Sequence, residues 1–310
     1  MNSNLQERFD KTKSTRPILL DGAIGCYLQE RNPTIWDKDI WIAKMNTDKP
    51  EEVKALALAY LEAGAEMITT NTFPTTPFRI RRYNRNNPND QKSPEEEVSK
   101  CLKLYTDLRK ETGKDFIIAG SNACVERCYH RERAESDEDI KQSHEEHIGY
   151  LMKHGSDLII NEALQHSIEV YVSADYCKRS NIPFITALYF DEDLLMMSGE
   201  PVLDVIQKLD SYGPLAIAVN CISYTRFKKL IDAGADIIKN LKSGFGFYLN
   251  CGDQKKYETN YLANIWDVAI NPEEYVQIVK EFEHLKPVFV GHCCVSGPEH
   301  TKELIKHLKK

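Results

Sequence analysis

The chain has 310 residues, of which 42% are hydrophobic, and its formal net charge is −7. This length and composition predict one domain spanning residues 1–310, since a single α/β barrel commonly needs about 250 residues. Charges of both signs are spread along the chain, which excludes the clustered basic face of a nucleic-acid-binding protein.

Eight short apolar runs, rich in β-branched and aromatic residues, are predicted as buried parallel strands. In chain order they are 18–23, 66–73, 116–122, 158–164, 183–190, 215–221, 245–252 and 288–294. The longer amphipathic stretches between them predict helices, with Gly or Pro at several of their ends. These stretches are 50–65, 94–113, 137–155, 167–180, 200–212, 224–240, 272–286 and 298–310. The polar stretches 83–94 and 251–270 are predicted as long loops.

Eight β-then-α units predict an α/β protein of the (β/α)8 TIM-barrel type, with a doubly wound open sheet as the alternative. The barrel is favoured because polar and thiol residues follow many strands, whereas an open sheet needs such residues only near its switch point. The residues at the predicted strand ends are Asp21, Asn71, Ser121, Asn122, Glu162, Asn220, Cys221, Asn250, Cys251, Cys293 and Cys294.

Three of these strand-end residues are cysteines that a closed barrel brings to one pocket. Cys293 and Cys294 end the eighth predicted strand, and Cys221 ends the sixth. Three thiols can hold one zinc ion with a fourth position open, which is the pattern of a catalytic site. Consecutive strand residues point to opposite faces, so both neighbouring thiols reach one ion only where the chain bends. Packing of buried cysteines is the alternative that spacing alone leaves open.

A set of short segments runs in order through almost the whole chain. The segments are LLDGAIG (19–25), YLEAGAEMITTNTF (60–73), AGSN (119–122), NEAL (161–164), AVNC (218–221), GHCC (291–294) and PEH (298–300). In these segments the chain resembles the homocysteine S-methyltransferase family, and the most specific matches are the Asn-Cys end of strand six and the cysteine pair after strand eight.

This resemblance implies a (β/α)8 barrel that binds one Zn²⁺ through Cys221, Cys293 and Cys294. The sequence departs from the family pattern beside the thiols. Gly291-His292 stands where the family has Gly-Gly, and Val295-Ser296-Gly297 stands where it has Gly-Thr-Thr. Gly25-Cys26 replaces the usual Gly-Thr after the first strand. These departures affect the expected acceptor pocket more than the expected metal site.

The resemblance also implies an amino-acid binding site for homocysteine. Its cationic amino group requires carboxylates, and Asp21 and Glu162 match family positions for homocysteine binding. A carboxylate inside the apolar run LIINEAL is costly unless it has a partner, which favours a functional role for Glu162. Asp21 can instead be a turn residue of its Asp-Gly pair. The Gly22-Ala23 turn can supply backbone N–H donors to the substrate carboxylate.

The implied reaction is methyl transfer from an activated donor to a zinc-bound homocysteine thiolate, without a separate general base. A sulfonium donor, S-methylmethionine or S-adenosylmethionine, is the first expectation. A betaine-type donor, another thiol acceptor and a non-catalytic zinc or thiol redox sensor remain alternatives. Aromatic faces attract cationic methyl donors. The candidates are Trp36, Trp41, Phe73, Phe78, Tyr189 and Phe190.

A second group of potential ligands follows the third strand. It comprises Cys124 and Cys128, separated by three residues, together with His130, and then His144 and His147. Its spacing matches no standard zinc motif, so the two later histidines are predicted to lie on a solvated helix face. The remaining cysteines are predicted to be structural or incidental: Cys26, Cys101, Cys177 and Cys251.

The polar N-terminal segment lacks the apolar core of a signal peptide, and no apolar run reaches the roughly 18–20 residues of a membrane span. These features predict a cytoplasmic protein whose nine cysteines stay reduced. The expected partners are a small-molecule thiol acceptor and a methyl donor, with no nucleic acid and no membrane.

Overall fold

The computed structural model describes residues 3–12, 14–125, 128–133, 135–252 and 269–309. Its eight strands are parallel and follow the order β1-β8-β7-β6-β5-β4-β3-β2. In chain order, the strands are β1 Ile18–Leu19, β2 Met67–Thr69, β3 Ile117–Ala123, β4 Leu158–Leu164, β5 Phe184–Leu188, β6 Ala216–Asn220, β7 Gly244–Leu249 and β8 Phe289–His292. All eight predicted strands are therefore confirmed, most of them shorter than predicted.

The sheet curves until its two edge strands meet. A parallel bridge joins Leu20, just after β1, to Met67 in β2. The Asp21 N–H donates to the Met67 carbonyl at 3.0 Å, and the Glu66 N–H donates to the Leu19 carbonyl at 2.8 Å. This contact makes the sheet a (β/α)8 TIM barrel, and the open-sheet alternative is wrong.

Side chains alternate along each strand between the barrel interior and the surrounding helices, as strand geometry requires. Leu158 and Ile160 belong to the interior cluster, whereas Ile159 packs with the outer layer. Continuing this alternation places Glu162 inward at the carboxyl end of β4. The same rule places Ser121 of β3 and Tyr248 of β7 on the inner side. The barrel therefore presents polar groups at its carboxyl end above an apolar interior.

The helices form the outer layer and pack their apolar faces on the strands. In the described ranges they are α1 Ser3–Thr12, α2 Gly25–Arg31, α3 Met45–Asp48, α4 Pro50–Ala63, α5 Pro77–Asn86, α6 Pro94–Thr112, α7 Asp137–Lys153, α8 Ser167–Arg179, α9 Val202–Asp210, α10 Tyr224–Lys239, α11 Pro272–Glu281 and α12 Pro298–Leu308. Short 3₁₀ turns cover Phe73–Thr75 and Glu283–Leu285. No helix among the described residues is long and apolar enough to cross a lipid bilayer.

Local signals set several helix ends. Gly64 ends α4 with a φ of 113°, a conformation that residues with a Cβ rarely adopt. The Ser136 hydroxyl accepts the Asp139 N–H, and the Asp139 carboxylate accepts the Ser136 N–H, so a capping box begins α7. The prediction of a loop over 83–94 is wrong in its first part, because α5 continues to Asn86. The loop predicted at 251–270 lies mostly outside the described residues.

Candidate active site

A cavity of about 470 Å³ opens at the carboxyl end of the barrel. This volume lies within the range of small-molecule sites, about 300–1,000 Å³. Residues from the ends of five strands and from the loops after β1, β2 and β3 line it. They include Asp21, Gly22, Ala23, Cys26, Trp36, Trp41, Thr69, Phe73, Arg79, Cys128, Tyr129, Glu162, Cys221, Tyr248, His292, Cys293 and Cys294.

The structure brings Cys221, Cys293 and Cys294 together at this cavity. Their sulfur atoms all lie within 4.8 Å of one another, and the Cys221 and Cys293 sulfurs are 2.7 Å apart. Hydrogen bonds from Cys221 and Cys294 lower the pKa of the Cys293 thiol to about 6. The hydrogen bond with Cys293 raises the pKa of the Cys221 thiol well above its usual value. The thiols of the cluster therefore shift one another's pKa values.

Cys221 reaches the cluster through an unusual backbone conformation. Asn220 ends β6 facing inward, so simple alternation would turn Cys221 toward the helices. Cys221 instead has a φ of 54°, in the left-handed region, and its thiol faces the cavity. The Asn220 amide oxygen accepts the Ala163 N–H at 2.9 Å, and its amide nitrogen lies 3.4 Å from the Cys221 sulfur. Asn220 thus ties the bent strand end to β4 and orients a donor toward the thiol.

The cysteine pair follows β8 on a loop that bends as predicted. Ser296 Oγ donates to the Cys293 carbonyl at 2.5 Å, so its own lone pairs accept the Ala23 N–H at 3.2 Å and His292 Nδ1–H at 2.7 Å. His292 Nε2 then accepts the Thr301 hydroxyl at 2.8 Å. Burial lowers the pKa of His292 well below its ordinary value, which keeps the ring neutral. His292 therefore joins the thiol loop to α12.

Gly22 explains how the barrel accommodates His292. A Cβ added at Gly22 would lie only 2.1 Å from His292 Cε1, so no larger residue fits without moving the imidazole. The large His292 side chain before the cysteine pair fits because Gly22, in the Asp-Gly turn, has no side chain. The two sequence segments are therefore packed as one unit.

Two carboxyl groups, the buried one of Asp21 and the half-buried one of Glu162, line the same cavity as the thiols. Asp21 accepts hydrogen bonds from the Thr69 N–H at 2.9 Å and from the Thr69 hydroxyl at 3.0 Å. Glu162 accepts the Ser121 hydroxyl and, at 3.2 Å, the Tyr248 hydroxyl. Burial raises the pKa of both carboxyl groups, and the charge of Glu162 raises that of Asp21 further. A cation is the ligand that would best stabilise this pair as carboxylates.

The Gly22-Ala23 turn lies at the cavity wall but only part of it is open to a ligand. The Ala23 N–H donates to Ser296 Oγ, and the Ala23 carbonyl accepts the Tyr60 hydroxyl at 2.8 Å. A substrate carboxylate that used the Ala23 N–H would have to replace Ser296. The binding of a substrate carboxylate by this turn stays a prediction, and the Ala23 N–H already has a partner in Ser296.

Aromatic side chains form another part of the cavity wall. Trp36, Trp41 and Phe73 all line it, and Trp41 meets Phe73 edge-on at a centroid distance of 6.0 Å. The predicted aromatic candidates Phe78, Tyr189 and Phe190 are not among the lining residues. Tyr129, which the sequence did not single out, lines the cavity and packs on Tyr189 at 4.5 Å between centroids.

Arg79 and Cys26 are functional candidates that sequence reasoning missed. Arg79 is only 9% exposed, yet its side chain reaches the cavity from α5, with the guanidinium 5.8 Å from the Phe73 ring centroid. The sequence predicts Cys26 to be structural or incidental, but it lines the cavity and its thiol bonds to Cys294. Only the bend of the chain around the barrel mouth reveals this contact.

The second group of cysteines and histidines splits in two. Cys124 and Cys128 are close, with sulfurs 3.0 Å apart, and Cys128 lines the cavity. The prediction of a solvated face for His144 and His147 is wrong, because both are buried and bond to Asn122. Burial lowers the pKa of His147 to about 3, so the ring is neutral at physiological pH. Among the described residues, only the Cys221 cluster gathers three potential metal ligands.

Comparisons with known proteins agree with this architecture. The chain matches the family model described as Homocysteine S-methyltransferase over residues 18–308. It is 23% identical to Homocysteine S-methyltransferase 4 of Zea mays, covering 94% of this chain and 89% of that protein. It is 26% identical to Homocysteine S-methyltransferase of Escherichia coli over 66% of this chain and 69% of that one. The solved oxidized form of the homocysteine methyltransferase MmuM from Escherichia coli aligns with this chain at a TM-score of 0.78 and 19% identity. The alignment covers 99% of this chain and 100% of that one, and it confirms the fold class.

Proposed function

Because the chain belongs to the homocysteine S-methyltransferase family, we propose that it transfers a methyl group to the thiol of homocysteine and releases methionine. We propose a sulfonium donor, S-methylmethionine or S-adenosylmethionine, and Zn²⁺ held by Cys221, Cys293 and Cys294. The observation that carries this proposal is the gathering of these thiols and of the Asp21 and Glu162 carboxyl groups around one cavity.

The donor set fits a catalytic zinc site. Such sites use three protein ligands and keep a fourth position for the substrate, and three thiols within 4.8 Å of one another supply that number. A free alkyl thiol has a pKa of about 8.5, and a bound zinc would supply the charge that keeps the acceptor as a thiolate at neutral pH. We therefore assign no general base among the residues of the cavity.

Glu162 and Asp21 are the proposed partners of the acceptor ammonium group. The hydroxyl groups of Ser121 and Tyr248 donate to Glu162 and fix its two oxygens at the inner wall. The charge of Glu162 raises the pKa of Asp21, and a bound ammonium group would relieve the repulsion between the two carboxylates. Gly22 remains the proposed N–H donor for the acceptor carboxylate, since Ala23 already donates to Ser296.

The aromatic wall and Arg79 are proposed to bind the donor. Trp36, Trp41 and Phe73 offer ring faces and edges near which a sulfonium methyl group is stabilised. Arg79 places a buried positive charge on the same wall, which suits the carboxylate of an amino-acid donor. Both sulfonium donors carry such a carboxylate together with the cationic methyl group.

The reaction balances without an oxidant or reductant. The homocysteine sulfur forms a bond to the methyl carbon while the bond from that carbon to the donor sulfonium breaks. The bonding pair stays on the donor sulfur, which becomes a neutral thioether. The residues of the chain hold both reactants in line, so the protein contributes chiefly by positioning and by exclusion of water.

This chemistry requires three reduced thiols, which supports a reducing compartment such as the cytoplasm as the place of action. We also propose that residues 1–310 act as one barrel domain, since the family match extends over 18–308.

A donor panel with homocysteine tests the proposal directly. Zinc-loaded protein is assayed with S-methylmethionine, S-adenosylmethionine and betaine, and the Cys293→Ser variant serves as the control. We expect methionine from a sulfonium donor with the wild-type chain and none above background with the variant. Turnover of betaine alone would overturn the donor assignment, and full activity in zinc-free protein would overturn the metal assignment.

A further inference from the structure

A second pair of thiols stands at the cavity, away from the proposed metal ligands. Cys124 follows the last residue of β3, and Cys128 lies four positions later in the loop. Their sulfur atoms are 3.0 Å apart, and the Cys128 side chain faces the cavity. In the barrel order, β3 stands opposite β7, whereas the metal-site cysteines follow its neighbours β6 and β8. The two thiol groups are therefore on opposite sides of the barrel mouth.

The surroundings of this pair favour a reactive thiolate. Arg79 Nη2 lies 3.5 Å from the Cys124 carbonyl oxygen and 4.0 Å from the Cys124 sulfur. The hydrogen bond from Cys124, followed by the charge of Arg79, lowers the pKa of the Cys128 thiol. A cation beside partly accessible paired thiols is the usual environment of a cysteine that enters thiol–disulfide exchange.

Three other cysteines outside the proposed metal site differ from this pair. Cys26 lines the cavity, but its hydrogen bond with Cys294 raises the pKa of its thiol. Cys101 and Cys177 are completely buried in the apolar outer layer, and burial raises the pKa of each thiol. Neither of them lines the cavity. Cys128 combines a neighbouring thiol, a nearby cation and contact with the cavity.

We propose that Cys124 and Cys128 form a reversible disulfide site that reacts with low-molecular-weight disulfides such as oxidised glutathione. The Cys128 thiolate attacks one sulfur of the small disulfide and displaces one small thiolate. Cys124 then loses its proton and attacks the Cys128 sulfur of the mixed disulfide, displacing the second small thiolate. The protein loses two electrons, the small disulfide gains two, and the released thiolates take up the protons.

The bridge is placed to alter the donor side of the cavity. Tyr129 follows Cys128 directly, lines the cavity, and packs on Tyr189. Its N–H donates to the Gln165 side chain, which ties this wall to the segment after β4. Drawing the two sulfurs from 3.0 Å to the covalent distance of about 2.05 Å moves the residue next to Tyr129. We therefore expect the KM for the donor to change several-fold in the bridged form, an expectation that rests on the proposed function.

The test uses the zinc-loaded full-length chain equilibrated with a series of ratios of oxidised to reduced glutathione. Peptide mass spectrometry after alkylation is expected to find a Cys124–Cys128 disulfide while the zinc content stays unchanged. The Cys124→Ser variant should stop at a mixed disulfide on Cys128, and the matched Cys177→Ala variant should form the bridge like the wild type. Dithiothreitol should restore both thiols.

Three results would overturn the proposal: no reaction at Cys128, a mixed disulfide in the wild type that never resolves to the bridge, or oxidation of the metal-site cysteines with zinc loss before the pair reacts. An unchanged donor KM in the fully bridged protein would overturn the predicted effect on the cavity. The mass and zinc measurements do not need methyl transfer, so their failure is distinguishable from failure of the proposed function.

Discussion

The cavity has two groups of cysteines, and they are built in different ways. Cys221 is more than seventy residues from Cys293 in sequence, and their sulfurs come to 2.7 Å because β6 and β8 both pair with β7. Cys124 and Cys128 are neighbours in one loop, and their sulfurs lie 3.0 Å apart. Closeness of thiols alone therefore does not identify a metal site. What distinguishes the first group is a third thiol within reach of the other two.

The two groups of cysteines also differ in the charged side chains near them. The thiols of the proposed metal site share the cavity with two carboxyl groups, and the charge of Glu162 opposes the lowering of the Cys293 pKa by hydrogen bonds from Cys221 and Cys294. Cys124 and Cys128 lie beside Arg79, whose charge favours a thiolate without any metal. A cation bound by the three thiols would offset the nearby carboxylate charge, whereas the Arg79 guanidinium already offers a positive charge to the pair.

The largest expected effect is a difference in zinc content between variants of the two cysteine groups. Cys293→Ser should lose bound zinc and reduce methyl transfer by more than about 100-fold, because only two thiolates remain. Cys124→Ser should retain one zinc per chain, measured by atomic absorption after dialysis. Equal zinc loss in both variants would break the distinction between the two groups.

The next effect concerns the carboxyl side of the proposed metal site. Glu162→Gln should raise the KM for homocysteine by about 10- to 100-fold, since a hydrogen bond to a charged group contributes about 1.5–3 kcal/mol. Zinc content should stay at the wild-type value. Tyr248→Phe is the matched control, because it removes one hydrogen bond to Glu162 and leaves the carboxylate in place. If Glu162→Gln lost zinc and acceptor binding in equal measure, its assigned role would be wrong.

A substitution at Arg79 tests the proposed donor-binding wall of the cavity. Arg79→Gln should raise the donor KM by about tenfold and leave the homocysteine KM close to the wild-type value, because one charge-assisted contact is lost. Arg81→Gln is the control, since Arg81 lies on the same helix but pairs with Glu146 and does not line the cavity. A change in the homocysteine KM alone would move Arg79 to the acceptor side.

The smallest effect is a dependence of acceptor affinity on pH. Burial raises the pKa of Asp21 and Glu162, and protonation removes the charge that attracts the ammonium group. Homocysteine affinity should therefore fall as the pH falls, beginning above the ordinary carboxyl pKa of about 4. Isothermal titration calorimetry between about pH 5 and about pH 8 covers the range above the ordinary carboxyl pKa. The homocysteine affinity of Glu162→Gln should depend less on pH over this range than that of the wild type. An identical dependence in both proteins would exclude Glu162 as its source.

Much of this architecture follows from the sequence because strand alternation and barrel closure are strong constraints. The eight strands and the proximity of Cys221 to Cys293 could be predicted, because the polar carboxyl ends of parallel strands lie on one side of a closed sheet. The same alternation, applied further, would have found Ser121 and Tyr248 as partners of Glu162.

Other features were hidden by composition. Four arginines among its residues masked α5, although Ile80 and Tyr83 lie on its buried face. Glutamates and lysines likewise concealed that His144 and His147 lie on the buried face of α7. The contact of Cys26 with Cys294 had no sequence signal, because it depends on how the loop after β8 folds back over the first turn of α2.

X-ray absorption spectroscopy at the zinc edge, recorded with and without homocysteine, tests the central claim most directly. The account predicts three sulfur ligands from the protein and a fourth sulfur when homocysteine is added, with the three-sulfur spectrum absent from Cys293→Ser. A zinc ion with fewer than three sulfur neighbours, or a spectrum that homocysteine leaves unchanged, would contradict it.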